Sequence, residues 1–214
     1  MIMTRHPRST ENTRQRLLKA AAEVFARDGL QGATTREIAR VASVNEVTLF
    51  RHFSNKNQLL GAVISQAFAL QAESLANQQE WTQDLHTDLV HYAQLYNRTL
   101  EEHEALTRNL IGEARRYPEE ARQILREATQ PLRKRLTAYI ENAQRQGKVR
   151  AEVDPVAAID IFTGMLLAGM LRRSVSILEY GAEHYLDSCV DIFVCGIMTS
   201  PTLSVQEFSH DTDH

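Results

Sequence analysis

Apolar residues along this chain recur at intervals of three and four, the spacing that gathers them on one face of an α-helix. The alternation expected of a half-buried strand is missing. Leu17, Leu18, Ala21, Val24 and Phe25 form one stripe and predict a helix over about 10–28, with Gly29 placed to end it. Ile38, Val41, Ala42, Val44, Leu49 and Phe53 predict two short helices, 35–42 and 45–52, that share a small core. Leu59, Leu60, Val63, Ile64 and Phe68 predict a longer helix capped by Ser54 and reaching about residue 76. Beyond the polar connector "NQQEWTQD", helices are expected over about 84–101, 104–115, 118–146, 154–178 and 183–198. Pro118 and Pro155 fall at first-turn positions, where a missing N–H costs little, and Asp154 is a good cap. Gly147 is placed to end the helix before it, and the tail "SPTLSVQEFSHDTDH" carries no stripe.

The two short helices raise the question of function. "TTREIARVASVNEVTLFRHF" runs from Thr34 to Phe53. Thr34 followed three residues later by Glu37 fits a capping box, in which hydroxyl and carboxylate both satisfy backbone donors. Ala39 is small where the second helix must cross the first, and the turn "ASVN" has at most four residues. This is the helix-turn-helix pattern, whose second helix lies in the DNA major groove. That helix needs only to span a groove about 12 Å wide. Its outward residues are polar because they meet base edges and phosphates.

Charge sharpens the picture. The net charge is −3, but up to Leu60 ten basic and five acidic residues give +5, so the remainder carries −8. Such asymmetry suits an end that meets a polyanion, although solvated helix faces can produce it too. No apolar run is expected to reach the roughly 18–20 residues of a membrane span. The start "MIMTRHPRST" lacks an apolar core and does not look like a secretory signal, so a cytoplasmic protein is expected. Cys189 and Cys195 fall on different sides of one helix, and both read as small buried apolar residues.

Around the double stub, "ARDGLQGATTREIARVASVNEVTLFRHFSNKNQLL" resembles the DNA-binding domain of TetR-type transcriptional regulators. The resemblance covers about Thr13 to Val63 and joins Phe-Ala-x-x-Gly, Thr-Thr-x-x-Ile-Ala, Val-x-x-x-Thr-Leu-Phe-x-His-Phe and Ser-x-Lys-x-x-Leu-Leu. It implies an all-α homodimer with an N-terminal three-helix helix-turn-helix domain and a larger C-terminal helical domain. The last two helices would form a four-helix bundle with the partner's, and a pocket would bind a small molecule. The expected divisions are 1–58 with a basic arm, 59–200 for regulation and dimerisation, and a flexible tail at 201–214.

Carried over by position, Thr35 and Arg36 open the first stub near a phosphate and a base edge. Asn45, Glu46, Val47 and Thr48 front the recognition helix, and Phe50, Arg51, His52 and Lys56 complete the DNA-facing set. Arg suits guanine, Asn suits adenine, and Thr and Val methyls suit the thymine methyl. There are three departures. Ser43 replaces the usual turn glycine, Phe50 lacks a tyrosine hydroxyl, and Glu46 puts an acid among phosphates. Glu46 could accept from a cytosine amino group, remain a solvated charge, or hold Arg51. Arg36 could instead form a surface ion pair with Glu37.

In the C-terminal part, Ile161, Gly164, Ala168 and Leu171, with Leu186, Val190, Phe193, Val194 and Ile197, are the expected dimer interface. Phe68, Tyr92, Tyr96, Leu110, Tyr139 and Met165 could line an effector cavity, or be plain core. No metal spacing, cofactor loop, P-loop or nucleophile elbow is legible, which argues against an enzyme. The expected partners are an inverted-repeat duplex, a second copy and a small-molecule effector, with no membrane. The rivals are a protein-binding helical module and a nonspecific DNA architect.

Overall fold

The computed structural model describes residues 7–69, 81–82, 84–115 and 118–199. Among these, the elements are α1 (Pro7–Gly32), α2 (Thr35–Val41), α3 (Glu46–His52), α4 (Lys56–Ala67), α5 (Leu85–Glu102), α6 (Glu104–Ala114), α7 (Pro118–Arg145), α8 (Pro155–Ser174) and α9 (Ala182–Ile197). The expected end of the fourth helix near residue 76, and the tail from 201, lie outside the described residues.

Caps explain where the helices begin. Asp84 accepts from Thr87 N, Asp154 from Val156 N and Ala157 N, and Asn45 from Val47 N. The cap of α4 is Asn55 rather than Ser54. Asn55 Oδ1 accepts from Gln58 N at 2.8 Å, while Gln58 reaches back to accept from Ser54 N at 2.6 Å. Gly29 ends the regular part of α1 with φ 70, a left-handed conformation that side chains disfavour. α8 stops at Ser174, short of the expected 178, because Ser176 turns to φ 55.

Two cores form. Leu17, Leu18, Phe25, Ile38, Leu49, Phe53 and Leu59 are buried between α1, α2, α3 and α4, and Leu106, Leu110 and Ala128 enter the same cluster from α6 and α7. A boundary at 58/59 therefore falls within α4, whose Leu59, Leu60, Val63 and Ile64 belong to the N-terminal core. The second core joins Leu89, Tyr92, Leu136, Ile140, Ile159, Phe162, Leu166 and Val190. Each such side chain removed from water contributes about 1.5–3 kcal/mol.

Polar detail fixes the second domain. Buried Asp88 accepts from Thr82 N at 2.8 Å, Thr82 Oγ1 at 2.9 Å and Tyr139 Oη at 2.6 Å. Trp81 packs on the Tyr139 ring at 4.2 Å. α8 and α9 cross closely at Gly169, where an added Cβ would stand 2.2 Å from the Tyr185 ring. A backbone bridge pairs Val149 with Met198, closing the α7–α8 loop onto the end of α9.

Three expectations need correction. α8 is long and apolar enough to cross a bilayer by length and composition, with mean hydropathy 1.4. One face of it packs in the second core, through Ile159, Phe162 and Leu166. Cys189 is buried, but Cys195 is exposed. Leu186, Val190, Phe193, Val194 and Ile197 are buried in their own protomer, so they are not a free dimer surface.

Candidate nucleic-acid interface

The local chemistry of α2 decides which cation is free. Thr34 Oγ1 accepts from Glu37 N at 3.2 Å, the hydroxyl half of the expected capping box. The carboxylate half goes elsewhere. Glu37 accepts from Arg40 at 2.7 and 2.8 Å and from Arg27 at 3.1 Å. These hydrogen bonds, Arg40's first and Arg27's second, hold the Glu37 carboxyl down at about 2. Arg27 also grips Asp28 at 2.7 Å, and its pKa is raised by that bond first and by Glu37 second. Arg36 is exposed and has no ion-pair partner among the described residues.

The turn carries backbone strain. Ser43 sits at φ 52, in the left-handed region that its missing glycine would have occupied freely. Arg16 clamps it from α1, donating to Ala42 O at 2.5 Å and Ser43 O at 2.9 Å. Ser43 N donates to Arg40 O at 3.0 Å and Val44 N to Ala39 O at 2.9 Å, so α2 satisfies the turn's donors while Arg16 satisfies its acceptors. Arg16 lies 27 residues from Ser43, and nothing in the sequence marked it as a turn clamp.

On α3, Asn45 spends its Oδ1 on Val47 N at 2.9 Å. The bidentate adenine contact expected of Asn45 uses both its oxygen and its amide, and one acceptor site of that oxygen is already held by Val47 N. Glu46 makes no ion pair with Arg51 among the described residues. It accepts the Thr35 hydroxyl at 2.5 Å, which ties the first turns of α2 and α3 together. Thr35 is correspondingly not an unencumbered phosphate donor. Lys56 differs too: its ammonium donates to Leu30 O at 2.6 Å and Ala33 O at 3.2 Å, pinning the start of α4 to the end of α1. Two of its three donors are therefore engaged, against the expected open phosphate contact.

What remains open is a compact surface. Val47 is 60% exposed and Phe50 49% exposed, with Arg51 beside them one turn along α3. Thr48 and His52 are half-buried, and Phe53 is core beneath the Arg14 guanidinium at 5.5 Å. Two exposed apolar side chains on a seven-residue helix have no packing reason in the protomer. They suit thymine methyls and deoxyribose.

In the larger domain, a cavity of about 140 Å³ lies between α4, α5, α6 and α7, with Leu167 of α8. Of the expected lining residues, Phe68, Tyr96 and Leu110 border it. Tyr92 stacks behind Tyr96 at 5.6 Å. Tyr139 and Met165 lie elsewhere: Tyr139 is engaged with Asp88, and the Met165 carbonyl accepts from Tyr185 Oη. Of the expected dimer residues, Ile161 is 61% exposed and Gly164 is exposed, while Ala168 and Leu171 are half-buried. Ile192 on α9 is 69% exposed. It lies outside the stronger apolar stripe.

Comparison with known proteins now decides the family. Residues 80–191 match the family model described as "Tetracyclin repressor-like, C-terminal domain", and residues 17–63 match "Bacterial regulatory proteins, tetR family". The chain belongs to the TetR family. It is a helix-turn-helix transcriptional regulator and not an enzyme; TetR-family members bind DNA and act as dimers. Repression and ligand response are typical of the family. The chain is 27% identical over 188 residues to the uncharacterized HTH-type transcriptional regulator YvkB of Bacillus subtilis, covering 86% of this chain and 97% of that one. It is 28% identical over 186 residues to the HTH-type transcriptional regulator SrpR of Pseudomonas putida, covering 81% and 80%. Among solved folds, FadR of Bacillus subtilis in complex with stearoyl-CoA superposes with TM-score 0.73 at 19% identity, covering 86% and 98%. The fatty acid degradation regulator FadR of Bacillus halodurans gives TM-score 0.73 at 18% identity, covering 90% and 97%.

Proposed function

We propose that this TetR-family chain is a cytoplasmic homodimeric repressor that grips an inverted-repeat operator and releases it when a small molecule fills the regulatory domain. The observation that carries the DNA half is the open surface of α2 and α3, where Arg36 is unpaired while its neighbours Arg27 and Arg40 are engaged. Arg36 reads a base edge, Arg51 meets phosphate, and Val47 and Phe50 supply apolar contact. Thr35 and Glu46 position the two helices. The protomers meet through Ile161 and Gly164 of α8 and the Ile192 face of α9. Half-sites then lie about 34–36 Å apart, or a multiple of that.

The route from cavity to DNA is carried by two helices. α4 brings Ile64, Ala67 and Phe68 to the cavity, and its Lys56 hooks the end of α1. α6 brings Leu106 and Leu110 to the same cavity, and its Asn109 donates to Phe25 O at 3.0 Å and Ala26 O at 3.2 Å in α1. An occupant that spreads these helices changes the angle of the reading head, and hence the distance between the dimer's two recognition helices.

Selection of bound duplexes from a random DNA pool, at about 0.15 M salt, tests this reading. Enrichment of an inverted repeat is the expected result. A folded dimer that enriches nothing contradicts it.

A further inference from the structure

The cavity differs chemically from the rest of the molecule. No Lys, Arg, Asp or Glu lines it among the described residues. Two of its polar residues are spent on their own helices: Thr107 Oγ1 donates to His103 O at 3.0 Å, and Thr129 Oγ1 donates to Leu125 O at 2.8 Å. Among the described residues that line it, the Tyr96 hydroxyl and the His103 ring form no hydrogen bond within the protein. Burial pushes the Tyr96 phenol up to about 12, so it stays neutral and able to donate. The wall behind it is aromatic. Phe68, Tyr96 and Tyr92 stack in series with ring centres 5.6 Å apart at each step. An apolar cavity of about 150 Å³ holds one benzene-sized molecule.

We infer that the effector is an uncharged, mostly apolar molecule about the size of one substituted aromatic ring, carrying a single hydrogen-bonding group that meets Tyr96 or His103. The inference rests on the ligand-released repressor reading and names its ligand class. A charged ligand would lose its hydration in the cavity and meet no Lys, Arg, Asp or Glu among the described lining residues. A ring slots against the Phe68–Tyr96 wall in the offset arrangement that aromatic quadrupoles favour. Its one polar group takes the partner that Tyr96 or His103 lacks. At about 140 Å³ the cavity is smaller than a long acyl thioester of the kind in the FadR fold relative, and its described lining offers nucleotide phosphates no Lys or Arg.

The test uses the full chain with p-cresol and acetophenone as neutral probes, benzoate and benzylammonium as charged probes of similar shape, and stearoyl-CoA as the long competitor. Thermal melting of the DNA-free protein reads binding, and fluorescence anisotropy on the selected operator reads release. At least one neutral probe should raise the melting temperature at about 1 mM or below, with the charged probes about tenfold weaker or worse. Ala67→Leu and, independently, Leu167→Phe fill empty space at the cavity edge. Each should abolish the neutral probe's shift while the variant still folds and dimerises, read by circular dichroism and sedimentation. Equal binding of charged and neutral probes overturns the inference. So does an unchanged shift in both filled variants, or a response to stearoyl-CoA alone. If the neutral probe binds but no operator exists to be released, the repressor reading fails while the ligand class stands.

Discussion

Arg36 keeps its guanidinium free because Glu37, the acid best placed to take it, is already held by Arg27 and Arg40. Arg36→Ala should therefore cost about 1–3 kcal/mol on a cognate site and relax one base position, measured by titrating operators substituted at each position. Lys56→Ala should act on stability instead, lowering the melting point by removing the donor from Leu30 O and Ala33 O at a cost of about 1–3 kcal/mol. The Glu37 latch gives a pH signature. Its carboxyl falls from the ordinary 4.5 to about 2 in the fold, chiefly through Arg40. A lowered pKa stabilises the fold above the unfolded value and is lost as pH falls through the folded one. The difference in melting temperature between the parent and Glu37→Gln should be full above pH 4.5 and fade towards pH 2. At this scale residue type and position made Arg36, Val47 and Phe50 legible as candidates, and all three are exposed in the fold. The sequence could not show that Asn45, Thr35 and Glu46 would spend their polar atoms on the protein, since each of those bonds depends on the helix crossing.

Between residues lies the geometry of elements. The Ser43 substitution in the turn was legible as a departure, and its consequence is a left-handed φ of 52 held by Arg16. Ser43→Gly should relieve that strain and raise stability by up to about 1 kcal/mol, read by chemical denaturation, because glycine adopts this conformation freely. Helix existence followed from the three-to-four spacing, and most ends followed from Asp154, Asn45 and Gly29. Helix orientation did not follow. α9 presents its strong stripe, Leu186 to Ile197, to its own core, and its weaker face, with Ile192, is left outside. A helix between two apolar surroundings carries two stripes, and spacing alone does not say which one meets the partner. The same ambiguity separates Phe68, Tyr96 and Leu110, which border the cavity, from Tyr139 and Met165, which do not.

For the whole molecule, the exposed apolar strip is the most direct test of assembly. Ile161 and Ile192 stay out of water only if a second copy covers them. The acids beside them are already satisfied within the protomer, Asp160 by Arg133 at 2.8 Å and Asp191 by His86 at 2.8 Å, so the strip itself is left apolar. Ile192→Arg should give a folded monomer by sedimentation equilibrium, with binding to the inverted repeat reduced to that of one half-site. The overall plan, a small basic reading domain on a larger acidic helical body, was visible in the charge split. The interleaving of the two was not, because Leu106, Leu110 and Ala128 join the first core from more than forty residues away from Ile64. That shared core sets a rule for recombination. A chimera that joins this reading head to another family member's body at residue 58 would cut α4 from its own packing and graft a mismatched half-core. A viable graft has to move α4 together with its counterparts on α6 and α7, so inheritance of operator preference is linked to inheritance of the effector chamber.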